Sequence, residues 1–173
     1  MKKVAIFYGP QGGNTENAAR MVAKEFGEDK AVLIPVRGAT ELDMEPYSNL
    51  IFGGPTLGTH TWQDANQKND WDLFLARLGK MNLNDKTCAI FGLGDHVSYA
   101  NHFVDDIGAM AERLEEAGAR LVGFVPVSGY TYEESRAQRG DVFLGLPLDE
   151  DFEPEKSPER IAGWVLQLKK EFE

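Results

Sequence analysis

Short apolar runs alternate with amphipathic segments along this chain, and that alternation constrains the fold more than any other feature of the sequence. Strands that alternate with helices are joined by right-handed crossovers, which give a mostly parallel sheet with helices on both faces. We therefore expect an α/β, doubly wound fold. Five runs are predicted strands: Val4 to Tyr8, Ala31 to Val36, Leu50 to Gly53, Cys88 to Leu93 and Leu121 to Val127.

The segments between these runs repeat apolar residues every three or four positions, which predicts amphipathic helices. A glycine follows each of the first three patterns and predicts its end, and Ser157-Pro158 predicts the start of the last helix. A shorter helical pattern lies near Glu41 to Met44. The four apolar stripes are Ala18, Met21, Val22 and Phe26; Trp71, Phe74, Leu75 and Leu78; Phe103, Ile107, Met110, Ala111 and Leu114; and Ile161, Trp164, Val165, Leu168 and Phe172.

A five-stranded parallel sheet of order 2-1-3-4-5 has a switch point between its first and third strands. Ligands of such sheets bind outside the carboxyl ends of the strands at this point. The loops that follow the first, third and fourth strands are therefore the expected binding loops, and they cover 9–15, 54–66 and 94–103.

Charge and length limit the classes of function. No Pro/Gly/Ser-rich linker divides the 173 residues, so we expect a single domain over 1–173. The formal net charge of −10 argues against nucleic acid or an anionic membrane as partner and favours basic protein faces, although an acidic solvated surface alone also accounts for it. The first apolar run is too short for a signal peptide or a membrane span, so a cytoplasmic protein is expected. Cys88 has no partner for a disulfide, and we expect it to pack in the core.

The first loop opens a helix, so its backbone N–H groups and the helix dipole favour an anion. It has no Lys-Ser or Lys-Thr pair and no GxGxxG spacing, which excludes a nucleotide-hydrolysing P-loop and a dinucleotide fingerprint. Two interpretations remain open: a phosphate held by neutral donors, or a tight turn that Asn14 or Thr15 caps.

The first loop resembles the phosphate loop of the flavodoxin family, Gly-Ser/Thr-x-Thr-Gly-Asn-Thr. Pro10 and Gly12 stand where that family supplies hydroxyls, and proline also lacks an N–H. The resemblance implies that FMN binds with its phosphate in this loop, more weakly than usual because two donors are missing. The implied phosphate-binding residues are Gly9, Pro10, Gln11, Gly12, Gly13, Asn14 and Thr15.

The second loop, Gly53 to His60, is by itself a generic loop with two glycines and a proline that allow close approach to a ligand. It resembles the flavodoxin loop in which a Pro-Thr pair precedes a ring-packing residue and a residue whose peptide flips on flavin reduction. Either Leu57 or Trp62 then packs one ring face, and Gly58 permits the flip. The resemblance implies Pro55, Thr56, Leu57, Gly58 and Thr59 as cofactor-binding residues, and the role of the extra residues in the 54–66 loop stays open.

The third loop resembles the flavodoxin stretch Phe-Gly-x-Gly-Asp-x-x-x-Tyr, in which the tyrosine stacks on the flavin ring. This implies Gly94, Asp95 and Tyr99 as cofactor-binding residues, and the negative charge near the ring implies a low potential for the second electron. The histidines at 60, 96 and 102 are scattered, so we expect solvated loop histidines and no metal site.

A polar segment from Ser128 interrupts the last predicted strand, which resumes at Val142 to Leu146, and this resembles the long-chain class of flavodoxins. We expect the acidic run Asp149-Glu150-Asp151 to be a solvated face. The implied function is a monomeric, FMN-binding, low-potential one-electron carrier between redox proteins, with no catalytic residues and no enzyme activity. Two alternatives stay open: an FMN-dependent reductase of quinones or other small molecules, and an apo partner-binding module that has lost FMN.

Overall fold

A parallel sheet runs through the centre of the structure, a computed structural model that describes residues 1–55 and 70–172. Its first five strands are β1 (Val4–Tyr8), β2 (Ala31–Pro35), β3 (Asn49–Gly54), β4 (Thr87–Leu93) and β5 (Arg120–Leu121). They lie in the order β2-β1-β3-β4-β5, and each neighbouring pair is parallel. The predicted order and direction of the strands are therefore confirmed.

Helices cover both faces of this sheet, as predicted. Those of the described residues are α1 (Asn14–Phe26), α2 (Asp70–Leu78), α3 (Asp105–Glu116) and α4 (Ser157–Glu171). Because side chains alternate along a strand, β1 sends Phe7 into one core with α2 and α3, and Ile6 into the other with α1 and α4. The pattern near Glu41 forms only a single 3-10 turn, Glu41–Asp43.

The predicted last strand over Leu121 to Val127 is wrong in extent, because the chain leaves the sheet after Leu121. Residues 122–145, called the excursion from here on, include β6 (Val125–Pro126), β7 (Gln138–Arg139) and β8 (Val142–Phe143), which form a small antiparallel sheet. The strand resumes as β9 (Leu146–Leu148), not at Val142, and pairs with β4 in parallel. The fifth position of the sheet is thus built from two pieces, with β5 at the amino end and β9 at the carboxyl end of β4.

Gly123 explains why the strand breaks where it does. Its φ of +79° lies in the left-handed region, which glycine reaches without a Cβ penalty. A Cβ at this position would come within 2.9 Å of both Trp164 Nε1 and Leu168 Cδ2 on α4. The Trp164 indole also donates a hydrogen bond to the Gly123 carbonyl at 2.9 Å, so the turn is fixed against the helix.

An aromatic cluster fastens the excursion to the start of α3. The Phe143 ring lies 5.2 Å from that of Tyr130, 5.1 Å from that of Tyr132 and 5.9 Å from that of Phe103, measured between centroids. Phe103, which the helical pattern included, lies just before α3 and is buried in this cluster.

Over the described residues, no helix is both long enough and apolar enough to cross a bilayer.

Candidate functional site

Three strands deliver their loops to one edge of the sheet. The register aligns Tyr8 with Gly53, and Gly54 with Gly92, so the carboxyl ends of β1, β3 and β4 lie side by side. The Gly9 N–H continues this pairing beyond the strand by donating to the Gly53 carbonyl at 3.3 Å. The switch point expected from the strand order is therefore present, and the first and third loops begin there.

The first loop presents backbone donors at the start of α1. Gly13 is the N-cap residue and makes no side-chain capping bond, so neither Asn14 nor Thr15 acts as the cap. The first turn of a helix leaves its N–H groups without intrahelical partners, and they carry the positive end of the helix dipole. Pro10 to Asn14 are exposed and Thr15 is buried, and Gly12 has a φ of +84°. This geometry suits an anion held by backbone amides.

Trp71 ties the first loop to α2. Its side chain is buried against Phe74, which confirms the core role that its position in the apolar stripe predicts. In addition, its Nε1–H donates to the Gly9 carbonyl at 2.7 Å, across the carboxyl edge of the sheet. The apolar pattern alone did not indicate this bond, although a buried indole N–H generally requires a partner.

The second loop is described only at its beginning. Gly53 and Gly54 are needed for packing: a Cβ on Gly53 would lie 1.9 Å from Phe91 Cζ, and one on Gly54 would lie 3.2 Å from Met110 Cε. Pro55 follows and is partly buried. The sequence-based candidates Thr56, Leu57, Gly58, Thr59 and Trp62 lie outside the described residues.

The third loop is held in shape by Asp95. Its Oδ1 accepts hydrogen bonds from the backbone N–H groups of Val97 at 3.0 Å and Ser98 at 2.7 Å, and its carbonyl accepts from that of Tyr99 at 3.1 Å. Gly94 has no room for a side chain, because a Cβ would lie 2.6 Å from Val104 Cγ1. Tyr99 is partly exposed on this hydrogen-bonded turn.

His96 and Asp149 join the third loop to the end of β9. The His96 ring Nδ1 makes a close contact with Asp149 Oδ2, and the His96 backbone N–H donates to the same oxygen at 3.1 Å. Asp149 Oδ1 accepts from the N–H groups of Asp151 and Phe152 at 3.0 and 2.9 Å. Burial alone would raise the pKa of Asp149, but these hydrogen bonds outweigh it and lower the pKa below its usual value.

Two sequence-based expectations fail in this region. Asp149 is fully buried, so the run that begins with it is not a purely solvated face. The His96 side chain is only 19% exposed, so it is not a solvated loop histidine, whereas that of His102 is 70% exposed.

Atoms of His96, Asp149 and Glu153 that could bind a metal lie within 4.8 Å of one another, but Glu153 already pairs with Lys156 and Arg160.

Asp106 is a further residue that the sequence did not single out. It is the second residue of α3, its side chain is buried, and neither carboxylate oxygen has a hydrogen-bond partner among the described residues. Burial raises the pKa of Asp106 well above its usual value, and the nearby backbone amides of Asp106 and Ile107 only partly oppose this. In sequence, an Asp-Asp pair opening a helix is an ordinary complement to the helix dipole, so no signal distinguished it.

Comparison with known proteins gives one consistent result. The flavodoxin family model matches residues 6–164 of the chain. A flavodoxin of Nostoc sp. is 39% identical over 171 residues, covering 99% of this chain and 98% of that protein. Flavodoxin 1 of Escherichia coli is 38% identical over 172 residues, covering 99% and 95%. The crystal structure of Fusobacterium nucleatum flavodoxin bound to flavin mononucleotide superposes with a TM-score of 0.87 at 28% identity, covering 100% of both chains.

Proposed function

This chain belongs to the flavodoxin family, and on that premise we propose that it binds FMN at the carboxyl edge of its sheet and carries single electrons between redox proteins. The observation that carries the proposal is the meeting of two features at that edge: the amide-rich start of α1 and the rigid loop that presents Tyr99. One feature suits a phosphate, and the other suits a flat aromatic ring. Such a protein transfers electrons without converting a substrate of its own.

The phosphate is assigned to the first loop. The proposed donors are the backbone N–H groups of Gln11 to Thr15, together with the side chains of Asn14 and Thr15, the first two residues of α1. Gly9 and Pro10 shape the loop, and the Trp71 bond to the Gly9 carbonyl holds it against α2. Hydrogen bonds to a charged group contribute about 1.5–3 kcal/mol each. Because Pro10 and Gly12 provide no hydroxyl groups, two such bonds to the phosphate are missing and FMN binding should be weaker.

The isoalloxazine ring is assigned to the second and third loops. Tyr99 stacks on one face, and Gly94 and Asp95 hold its turn. Pro55, Thr56, Leu57, Gly58 and Thr59 are proposed for the other side of the ring from the family pattern. FMN itself supplies the one-electron chemistry when bound, and the residues of this chain bind it, orient it and limit its contact with water.

A titration of apoprotein with FMN and with riboflavin tests the proposal. We expect a clear preference for FMN, about tenfold or more, because only FMN has the phosphate that the first loop would bind. Tyr99→Leu should weaken both ligands to a similar extent, since it changes only the ring site. Equal affinity for FMN and riboflavin would contradict the phosphate assignment, and a protein that binds neither would contradict the function.

The partners and assembly are proposed from charge and packing. With a formal net charge of −10, the chain should attract the basic faces of redox partner proteins and repel nucleic acid. We also propose a monomer of one domain, of the long-chain class, because the excursion packs on Phe103, just before α3, within the same chain.

A further inference from the structure

Asp106 is a buried acid at the cofactor edge for which the described residues provide no hydrogen bond. Its relative exposure is 2%, and both Oδ1 and Oδ2 are shielded from solvent without a partner in 1–55 or 70–172. Buried polar groups are nearly always hydrogen-bonded, and an unpaired one lowers the stability of the fold. An exception of this kind in a native chain calls for a physical explanation.

The position of Asp106 connects it to the ends of both central strands. A Cβ on Gly92 would lie 2.8 Å from Asp106 Oδ2, and a Cβ on Gly54 would lie 3.3 Å from it. The two glycines therefore make room for the carboxyl group directly beneath the point where β3 and β4 deliver the second and third loops. Substituting either glycine would push a methyl group onto the acid.

The surroundings of Asp106 are dry and apolar. Gly54, Pro55, Trp71, Leu75 and Met110 line the narrow gap beside it, and this gap has no room for a molecule the size of water. A carboxyl group in such a place holds its proton, because the charged form loses its hydration and gains no partner.

Few charged groups act on this carboxyl. Among the described residues, Asp105 on the same helix is the charged neighbour whose field reaches it, and its negative charge also favours the neutral form. The facing part of α2 contributes Trp71 and Leu75, while β3 and β4 contribute glycines, so these elements present no titratable side chain to Asp106 among the described residues. The backbone amides at the start of α3 oppose the effect of burial but do not overcome it.

We propose that Asp106 couples FMN binding to proton uptake, holding its proton when the cofactor is bound and releasing it more readily in the apoprotein. The inference rests on the proposed function. A cofactor above the strand ends covers that edge and removes water from it, which favours the neutral acid. Asp106 acts on the site through Gly54 and Gly92, as a positioning residue.

The sign of the coupling follows from the proton balance. The FMN-bound protein carries more protons on Asp106 than the apoprotein, so the affinity for FMN falls as the pH rises through the range between the two titrations. The fall is at most tenfold per pH unit for a single coupled proton. Without the acid at position 106 this part of the pH dependence is absent.

FMN titrations of the apoprotein between pH 5 and pH 9 test the coupling. The variants are Asp106→Asn, which keeps the shape of the side chain, and Asp106→Ala, which removes it. Asp85→Asn is the matched control, since Asp85 is 80% exposed at the opposite end of the sheet. Ionisation of FMN itself affects every variant equally, so the difference between their pH profiles measures the contribution of Asp106.

Between pH 5 and pH 9, we expect the FMN affinity of the wild-type protein and of Asp85→Asn to fall. This fall should be about tenfold larger than any fall shown by Asp106→Asn or Asp106→Ala. Parallel profiles for all four proteins would overturn the coupling and leave FMN binding intact. A wild-type protein that binds no FMN at any pH would overturn the proposed function and this inference with it.

A calorimetric measurement covers the case in which neither variant at position 106 folds. Riboflavin binding to the wild-type apoprotein across the same pH range, followed in two buffers of different ionisation enthalpy, reports proton uptake without a phosphate that could titrate. Uptake of a fraction of a proton within this range supports the role of Asp106, and zero uptake throughout it overturns that role.

Discussion

At the scale of single residues, two buried aspartates near the carboxyl edge have opposite surroundings. Asp149 accepts hydrogen bonds from one ring and three backbone amides, whereas Asp106 accepts none from the described residues. Their pKa values accordingly shift in opposite directions, down for Asp149 and up for Asp106. Burial is common to both, so the hydrogen bonds decide the sign.

Asp149→Ala should lower the free energy of unfolding by about 2 kcal/mol at pH 7, because the amides and the His96 ring lose a charged acceptor. Since the pKa of Asp149 is depressed in the folded protein, its contribution is present above the unfolded pKa near 4 and is lost as the pH falls through the folded pKa. Urea unfolding at pH 7 and pH 3 measures this. A variant that is equally destabilised at both pH values would contradict the account.

The stability of the apoprotein should show the reverse dependence at Asp106. Its folded pKa is raised, so the folded state binds the extra proton and the wild-type protein loses stability as the pH rises above the unfolded pKa. Relative to Asp106→Asn, the loss is about 1.4 kcal/mol per pH unit until the folded pKa is reached. Denaturation midpoints of both proteins from pH 4 to pH 8 would show the two curves diverging, and a constant offset would refute the prediction.

At the scale of elements, two tryptophans provide a matched test of how α2 supports the first loop. Trp71 donates to the Gly9 carbonyl on one face of the sheet, and Trp164 donates to the Gly123 carbonyl on the other, at 2.7 and 2.9 Å. Either Trp→Phe substitution leaves a buried carbonyl unpaired and should cost about 1–3 kcal/mol of stability. Only Trp71→Phe should also weaken FMN binding, by about tenfold, because only Gly9 belongs to the first loop.

Denaturant unfolding and FMN titration of both variants separate the two effects. Comparable loss of stability with loss of FMN affinity confined to Trp71→Phe is the expected result. Equal FMN affinities in the two variants would show that the bond to Gly9 supports the fold alone.

Most elements were predictable from the sequence because their apolar spacing reports directly on burial. β1 to β4 and the four long helices match the predicted patterns to within a few residues. The break after β5 was not predictable, since the run from Leu121 to Val127 stays apolar: its second half packs in the excursion instead of the sheet. Gly123 and Pro126 stand in this run, but neither residue by itself shows where the chain leaves the sheet.

The loops of the candidate site were predictable from the sequence, but the contacts that hold them in place were not. Motif spacing located the first and third loops at one edge. The Trp71 bond to Gly9 and the pairing of His96 with Asp149 join residues that are distant in sequence, and the apolar surroundings of Asp106 also come from distant parts of the chain. Such contacts depend on packing between elements, which no local pattern encodes.

At the scale of the whole molecule, the acidic surface should govern the rate of encounter with partners. A net charge of −10 attracts a basic protein over roughly a Debye length, about 10 Å at 0.1 M salt. The rate constant for electron transfer from the reduced protein to cytochrome c, a basic acceptor, should fall about tenfold from 10 to 300 mM salt. With an uncharged quinone as acceptor the rate should stay nearly constant, and a similar fall for both would contradict steering by charge.

The two-piece fifth strand also gives the molecule an uneven resistance to local opening. β5 has only two residues and is partly exposed, whereas the three residues of β9 are buried against β4 and α4. Transient fraying should then begin at β5, and hydrogen exchange should be faster at the Arg120 amide bonded to Lys86 than at the Gly94 amide bonded to Leu148. A bound flavin would add contacts at the carboxyl end of this edge, which already opens last, so the amino end would open while the cofactor is still held.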